Sequence, residues 1–293
     1  NFADCLGPKK YDSGHFIRLY SDLVRCDRLG DAIDLLQRLS DAKVPCLNDT
    51  RIRKHGTVDF LVSCERSNKL SNSPVTHAFT FTNLVLGAAR EELSNAEVAT
   101  IYNKLLAVCS AHGYCEAAAK AFEQMKQDPK GLTIDVITHT SLIVAYGKAG
   151  KVDLAFDQFN TMTKKDKIEP TIVTYGALMD ALSREVGRRS GNGGFKSNNK
   201  KDISYVKDAL DRVFNLRSDL QASGLHMDVR VLNCLVSACG RAAAFEELRT
   251  DALDRAFDIV AESRRNGLFP DAITYSSLRS GCVNAGEPQS ALA

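Results

Sequence analysis

The sequence has no tryptophan, no CxxC spacing among its nine cysteines and no apolar run near the roughly 18 residues that a membrane span requires. The six histidines form neither an HExxH motif nor the HxE with downstream CxxC of a zinc deaminase, and no GxxxxGK(S/T) phosphate loop occurs. The cysteine spacings do not fit a structural zinc site. We therefore expect no catalytic residues, no metal and no cofactor, in a protein that is not an enzyme.

Strong charge of one sign is also lacking, because 38 Lys and Arg residues stand against 36 Asp and Glu residues, for a net charge of +2. A nucleic-acid-binding surface would need its basic residues gathered locally, since neutralising phosphates provides much of the affinity. The cysteines are expected to be reduced and buried within helices. The chain opens at Asn1 without an initiator methionine, and we expect it to be a segment of a longer protein.

An internal repeat is the main feature that the sequence does contain. Segments of similar pattern begin at Ala99, Val136, Ile172, Val229 and Ala272, with spacings of 37, 36, 57 and 43 residues. Each segment has leucine at its seventh place. The first two spacings are close to the roughly 35-residue period of helical repeats, and the longer two indicate insertions between helices.

The segment from Val136 shows the repeat unit most clearly. Apolar residues recur at helical spacing in two sets, at 142, 145, 146 and 149 and then at 152, 155, 156, 159 and 162. Gly150 lies between the sets and suits the turn, because glycine adopts the left-handed conformation at a helix end. The pattern predicts a helix, a turn and a second helix, which bury their apolar faces by stacking on neighbouring pairs.

The repeat pattern divides the chain into two regions. Residues 1–98 are expected to form degenerate N-terminal helical repeats, and residues 99–293 a regular array. The repeats of the array are 99–135, 136–171, 172–228, 229–271 and a truncated 272–293. The third carries a Gly/Ser/Asn-rich loop insertion at 186–203, whose basic residues favour a solvated loop over a phosphate contact.

Three segments resemble a known family. Residues 172–179 read IVTYGALM, residues 272–278 read AITYSSL, and residues 267–271 read GLFPD. They are similar to the helix-opening and repeat-closing motifs of the pentatricopeptide-repeat family, and the chain resembles its P-class members. Tetratricopeptide repeats favour a WxxLGxxY pattern, which is absent. The resemblance implies an all-α fold, a right-handed α-solenoid of helix–turn–helix repeats.

In this family each repeat reads one RNA base through two or three side chains. The resemblance places the readers at the fifth residue of the first helix and at the last residue of the repeat, which gives Asn103 with Asp135, Thr140 with Thr171, Gly176 with Asp228, Asn233 with Asp271, and Ser276 alone. Second-place residues would wedge between bases, as apolar Ile137, Val173 and Ile273 could, whereas Thr100 and Arg230 depart from that preference. The resemblance implies that Asn with Asp favours uracil, that Thr leans to a purine, and that Gly176 is silent.

A second interpretation of the aspartates stays open. Asp135, Asp228 and Asp271 each directly precede a predicted first helix, where aspartate is a favoured N-cap. Capping alone would explain their presence without any ligand. Two Asn/Asp pairs in the same register favour base reading, and the sequence does not decide between the two interpretations.

The resemblance implies an organellar protein, in the chloroplast rather than the mitochondrion, that binds single-stranded RNA and acts in transcript stabilisation, processing or translation. No small-molecule substrate is expected. The alternative is a helical-repeat scaffold within an organellar ribosome, polymerase or other ribonucleoprotein assembly, because solenoids present long surfaces to proteins as readily as to RNA. Gly176 and the irregular spacings favour the scaffold, whereas the Asn/Asp pairs favour RNA.

Overall fold

The structure is a computed structural model that describes residues 13–41, 52, 56–67, 73–190 and 200–286. Within these ranges every regular element is a helix, and the helices follow one another along the chain in pairs. The predicted all-α fold of helix–turn–helix repeats is confirmed. None of the described helices is long and apolar enough to span a membrane.

We refer to the first helix of each pair as the A helix and to the second as the B helix. The described A helices are α1 (Ser13–Arg25), α3 (Thr57–Arg66), α5 (Asn95–His112), α7 (Val136–Lys148), α9 (Ile172–Arg189), α11 (Val229–Ala242) and α13 (Ala272–Ala285). The described B helices are α2 (Leu29–Asp41), α4 (Ser73–Ala89), α6 (Cys115–Lys126), α8 (Val152–Asn160), α10 (Lys200–Ala222) and α12 (Arg249–Arg265). A π-helical turn, Thr161–Lys165, extends α8, and a short 3-10 turn, Glu246–Leu248, precedes α12.

The chain divides into two compact units, Asn1–Ala145 and Tyr146–Ala293. The predicted boundary after residue 98 does not match this division. It falls inside α5, onto which both α3 and α4 pack. The N-terminal helices therefore share a core with the first regular repeat instead of forming a region of their own.

In the first unit, A helices pack on A helices (α1 on α3, α3 on α5) and the B helix α2 packs on α4. Three of the unit's buried aromatic rings lie together: Phe60 stacks on Phe81 with ring centres 4.2 Å apart, and Tyr20 lies 6.2 Å from Phe81. The Tyr20 hydroxyl donates a hydrogen bond to the Gly56 carbonyl at 2.8 Å, which satisfies its one polar atom. Each such side chain contributes about 1.5–3 kcal/mol through burial.

A buried carboxylate closes the turn after α6. The side chain of Asp128 has no exposed surface, forms an ion pair with Arg90 and accepts a hydrogen bond from the Tyr102 hydroxyl at 3.2 Å. Burial and the neighbouring carboxylate raise the pKa of Tyr102. A buried charge is stable only with such partners, so this cluster holds the turn against α4 and α5.

In the second unit, α9, α11 and α13 pack side by side, and α10 and α12 pack behind them. Gly240 of α11 and Gly281 of α13 lie in close contact, because a Cβ added to Gly281 would lie 2.8 Å from the Gly240 Cα. Only glycine allows two helix backbones to come this close. The two positions therefore set the distance between α11 and α13.

Helix boundaries differ from the sequence expectation at two places. The predicted repeat start at Ala99 lies inside α5, because Ser94 and Glu97 form a capping box that begins the helix at Asn95. The predicted loop 186–203 is also too long, because α9 continues to Arg189 and α10 begins at Lys200; residues 191–199 lie outside the described residues.

The extension of α9 and α10 is stabilised by Arg189. Its guanidinium pairs with Glu185 and with Asp202, each at 3.0 Å, and lies 3.8 Å from the ring centre of Tyr205. These contacts join the end of one helix to the start of the next. A local reading of the Gly/Ser/Asn composition could not foresee them.

Candidate functional site

Aspartates cap three of the A helices, as the second interpretation of the sequence proposed. A carboxylate oxygen of Asp135 accepts from the Thr138 backbone N–H at 2.9 Å, Asp228 accepts from Val231 at 2.8 Å, and Asp271 accepts from Thr274 at 2.9 Å. Each satisfies a backbone donor that the first turn leaves free. Capping places all three carboxylates at equivalent positions, beside the first turn of an A helix.

Asn233 and Asp271 are in direct contact. The Asn233 amide nitrogen donates to the two Asp271 carboxylate oxygens at 3.2 and 3.3 Å, and the Asn233 amide oxygen accepts from the Thr274 hydroxyl at 2.5 Å. The Thr274 backbone N–H and the Asn233 amide lower the pKa of Asp271, so the carboxylate is ionised at neutral pH. An acceptor-only carboxylate fixes which end of the amide faces it.

Asn103 and Asp135 are joined through a third side chain. The Thr138 hydroxyl lies 2.8 Å from the Asn103 amide oxygen and 2.7 Å from an Asp135 carboxylate oxygen. Asn103 is the ninth residue of α5 because that helix begins at Asn95, yet it faces the first turn of α7 as Asn233 faces that of α13. Both asparagines therefore face the capping aspartate and the third-place threonine of the next A helix, and Asn233 also contacts its aspartate directly.

Gly176 and Asp228 form a different arrangement. A Cβ added to Gly176 would meet only Val231, at 3.7 Å from its Cγ2 atom. Val231 occupies the third place of α11, which Thr138 and Thr274 occupy in α7 and α13. This repeat has its capping aspartate but neither the amide nor the hydroxyl.

The two threonines of the remaining predicted pair lie in different compact units. Thr140 is only 8% exposed, which leaves little of its hydroxyl to a ligand. Thr171 caps α9 with its own capping box, in which its hydroxyl lies 3.2 Å from that of Thr174. Each threonine thus has a structural environment that differs from those of the two asparagines.

The predicted wedge residues are unusually exposed for apolar side chains. Ile137 is 58% exposed, Val173 56% and Ile273 62%, and each is the second residue of an A helix. Polar Thr100 and Arg230 are exposed near the starts of α5 and α11, and Ser276 is exposed on α13. An exposed apolar side chain thus recurs at the second place of three A helices, which is the placement that the wedge role requires.

The sequence interpretation missed Thr138 and Thr274. Both are fully buried, and both bind an asparagine of the preceding A helix. A signal was available, because threonine recurs as the third residue of the segments at Val136, Ile172 and Ala272. The contact itself joins residues 35 and 41 positions apart, which no local pattern reveals.

Four of the thiols in the described ranges are poor nucleophiles. Burial raises the pKa of Cys64, Cys109, Cys234 and Cys239 to about 12, so these side chains are protonated at neutral pH and weakly nucleophilic. In the ranges that the structure describes, no three His, Cys, Asp or Glu side chains are grouped so as to hold a metal ion.

Family models match the middle of the chain. A pentatricopeptide repeat domain model matches residues 127–185, and a PPR repeat model matches residues 100–129. Together the two models match residues 100–185, which extend from within α5 to within α9. The matched region contains the Asn103 and Asp135 pair.

Similar proteins occur in Arabidopsis thaliana. A chloroplastic pentatricopeptide repeat-containing protein is 24% identical over 161 residues, which is 55% of this chain and 27% of that protein. The chloroplastic protein DOT4 is 36% identical over 80 residues, 27% of this chain and 9% of its own. A mitochondrial relative is 32% identical over 83 residues, 28% of this chain and 13% of its own. The matches thus span about a quarter or less of these relatives' length.

Solved structures with similar chains include maize PPR10, at 14% identity and a TM-score of 0.40, covering 96% of this chain and 43% of that one. PPR10 in complex with an 18-nt psaJ RNA element matches at 15% identity and a TM-score of 0.33, covering 98% of this chain and 54% of that one. Both family models match residues of the paired helices α5 to α9. Residues 100–185 therefore match pentatricopeptide repeats, and the chain is similar to pentatricopeptide repeat-containing proteins.

Proposed function

We propose that this chain binds single-stranded RNA sequence-selectively, with the first turns of its A helices as the binding surface. The observation that carries the proposal is the Asn/Asp pair, which occurs once in each compact unit, with the asparagine amide facing the first turn of the next A helix. An amide offers one donor group and one acceptor group, which can match the edge of a base. In each unit an exposed apolar residue, Ile137 or Ile273, lies two places after the paired aspartate.

Charge supports an anionic partner on the A helices. Helices α5, α7, α9, α11 and α13 carry eight Lys and Arg residues against three Asp and Glu residues. The B helices α6, α8, α10 and α12, with the π-helical turn after α8, carry thirteen against twelve. The A helices from α5 to α13 thus carry more net positive charge than the B helices of the same stretch, which favours an anionic partner.

The proposed role is in an organelle, where binding would protect a transcript, direct its processing or support its translation. A bound repeat array would cover the single strand and exclude exonucleases. The relatives named above are described as chloroplastic or mitochondrial, and a chloroplast location is preferred here because two of those three are chloroplastic. The proposed activity is binding, not catalysis.

The test is selection from a randomised pool of short single-stranded RNAs, followed by measurement of the selected RNA's Kd across a salt series. We expect Kd to rise steeply with salt, since each released phosphate counterion adds to the slope. Asn233→Ala should abolish the preference at one nucleotide and weaken binding of the preferred RNA by about ten-fold.

Asn215→Ala is the matched control, because it removes an exposed amide from the B helix α10 of the same unit. It should leave both the preference and the Kd unchanged. An equal loss of affinity for every RNA sequence on Asn233→Ala would argue against base reading, and absence of any RNA affinity would defeat the proposal.

A scaffold role is the second candidate, and two observations favour it. Gly176 has no side chain with which to read a base, and Thr140 is almost buried, so the readers do not form an unbroken series. The partner would then be a protein of an organellar ribonucleoprotein assembly, such as a ribosome or polymerase. Affinity for that assembly that persists after ribonuclease treatment, with no selection from the RNA pool, would support this candidate.

A further inference from the structure

Two buried threonines connect the asparagines to the repeat that follows them. Thr138 and Thr274 are each the third residue of an A helix, and both side chains are completely buried. Each hydroxyl reaches back to an asparagine of the preceding A helix, at 2.8 Å for Asn103 and 2.5 Å for Asn233. The side chain proposed to read a base is therefore held by a residue outside its own repeat.

Counting donors and acceptors shows what Thr274 does. The Asp271 oxygen that it could reach, at 3.1 Å, already accepts from the Thr274 backbone N–H and from the Asn233 amide. A hydroxyl has one proton, and the Asn233 amide oxygen is the nearer acceptor. The amide is thus held at both ends, nitrogen to Asp271 and oxygen to Thr274. One N–H and one lone pair remain for a ligand.

The first unit is arranged differently. The Thr138 hydroxyl lies 2.8 Å from the Asn103 amide oxygen and 2.7 Å from an Asp135 carboxylate oxygen, and its one proton goes to the nearer, charged acceptor. Asn233, by contrast, contacts both Thr274 and Asp271 directly. The positioning argument therefore rests on Thr274 and Asn233.

The repeat with Gly176 provides an internal comparison. Its capping aspartate, Asp228, has the same backbone hydrogen bond as Asp271, but the third residue of the following A helix is Val231. A Cβ on Gly176 would approach only that valine, at an ordinary van der Waals distance of 3.7 Å. Gly176 therefore has room for a larger side chain. Compared with the position of Asn233 and Thr274, this one lacks the polar atoms of an amide and of a hydroxyl.

We propose that the third-place threonine of the following repeat is a positioning residue, which orients the asparagine so that its free N–H and lone pair meet the base. This inference rests on the RNA-binding function proposed above. It implies that one nucleotide is read by side chains of two successive repeats. It also implies that the third residue of an A helix, threonine or valine, decides whether an asparagine of the preceding A helix distinguishes between RNA bases.

The first arm of the test compares Thr274→Val with Thr274→Ser in the full chain by selection from the randomised RNA pool. Valine keeps the volume and removes the hydroxyl, and serine restores it. We expect valine to reduce the preference at the Asn233 nucleotide by about five-fold, from the net value of one hydrogen bond, and serine to recover most of it.

The second arm asks for a gain of function. Gly176→Asn alone should add little selectivity, because no hydroxyl orients the new amide. Gly176→Asn combined with Val231→Thr should create a preference at one further nucleotide, between those assigned to Asn103 and Asn233. Equal selectivity of the single and double variants would overturn the proposal.

An RNA-independent measurement separates this inference from the proposed function. Side-chain amide resonances in NMR report whether Asn233 holds one rotamer, and exchange of its amide protons reports the hydrogen bonds. We expect one rotamer and slow exchange in the parent chain and in Thr274→Ser, and averaging in Thr274→Val. If the chain selects no RNA but Asn233 shows this NMR pattern, only the proposed function is defeated. An Asn233 amide that is equally ordered in Thr274→Val, or base selection that Thr274→Val leaves intact, overturns the positioning role.

Discussion

Two neighbouring junctions of A helices in the second unit are built differently. In the α9–α11 junction, Gly176 faces apolar Val231 at the first turn, and at the other end Arg241 donates to the Ser183 hydroxyl at 2.9 Å. The stem of Arg241 covers Gly187, whose added Cβ would lie 2.9 Å from the arginine Cδ. This junction is apolar where a ligand would bind and polar at the far end.

The α11–α13 junction has the opposite order. Its first turn holds the polar group of Asn233, Thr274 and Asp271, and its far end is the glycine contact between Gly240 and Gly281. Both junctions nevertheless support the same side-by-side stacking. Stacking therefore requires close packing somewhere along the helices, whereas the chemistry of the first turn is free to vary, and that is where the proposed site lies.

The largest effect on this comparison should come from Gly281→Ala. The new methyl group would lie 2.8 Å from the Gly240 Cα, a backbone atom that cannot turn away. Overpacking of this kind costs about 1–3 kcal/mol of unfolding free energy. Hydrogen exchange with mass spectrometry should show faster exchange in α11 and α13, with helices of the first unit unchanged.

Gly87→Ala is the control for that substitution. Gly87 lies in α4, is exposed and has no heavy atom within 4 Å of an added Cβ. Alanine there should stabilise the chain by about 0.5–1 kcal/mol, because glycine is the poorer helix former. Similar urea unfolding curves for Gly281→Ala and Gly87→Ala would show that the glycine contact does not hold the α11–α13 junction.

A smaller effect is expected from Arg241→Ala in the other junction. The change removes the donor to buried Ser183 and the stem that covers Gly187, and should cost about 1–2 kcal/mol. The matched control is Arg230→Ala, which removes an exposed arginine from the same helix and should stay within about 0.5 kcal/mol. Urea unfolding measures both, and equal losses would mean that the far-end contact contributes nothing specific.

Several helix starts were predictable because their signals are local. Helices begin at Val136, Ile172, Val229 and Ala272, the residues at which the repeat pattern starts, and an aspartate or threonine immediately before each one caps the first turn. The start of α5 was equally local but was missed. Its capping box lies before the repeat pattern, and the leucine register alone places the start four residues too late.

The features that the sequence did not predict depend on contacts between distant residues. The extension of α9 and α10 rests on Arg189 reaching Asp202, thirteen positions away. The contact of Thr274 with Asn233 spans 41 positions, and the burial of Thr140 is a property of the packed helices. The sequence indicated which residue types recur at the first turns, whereas the hydrogen bonds that orient them come only from stacking.

The smallest effect concerns the capping aspartate of the α11–α13 junction. The Thr274 backbone N–H, and then the Asn233 amide, hold the pKa of Asp271 below its ordinary 3.8. Stabilisation by this carboxylate is therefore fully present at neutral pH and is lost only as the pH falls through the lowered pKa of the folded state. A carbon-13 NMR titration of the Asp271 carboxyl should give a midpoint below 3.8. Asn233→Ala should raise that midpoint only partway, because the stronger Thr274 backbone bond remains. A midpoint that the substitution does not move would show that the amide does not bind the carboxylate in solution.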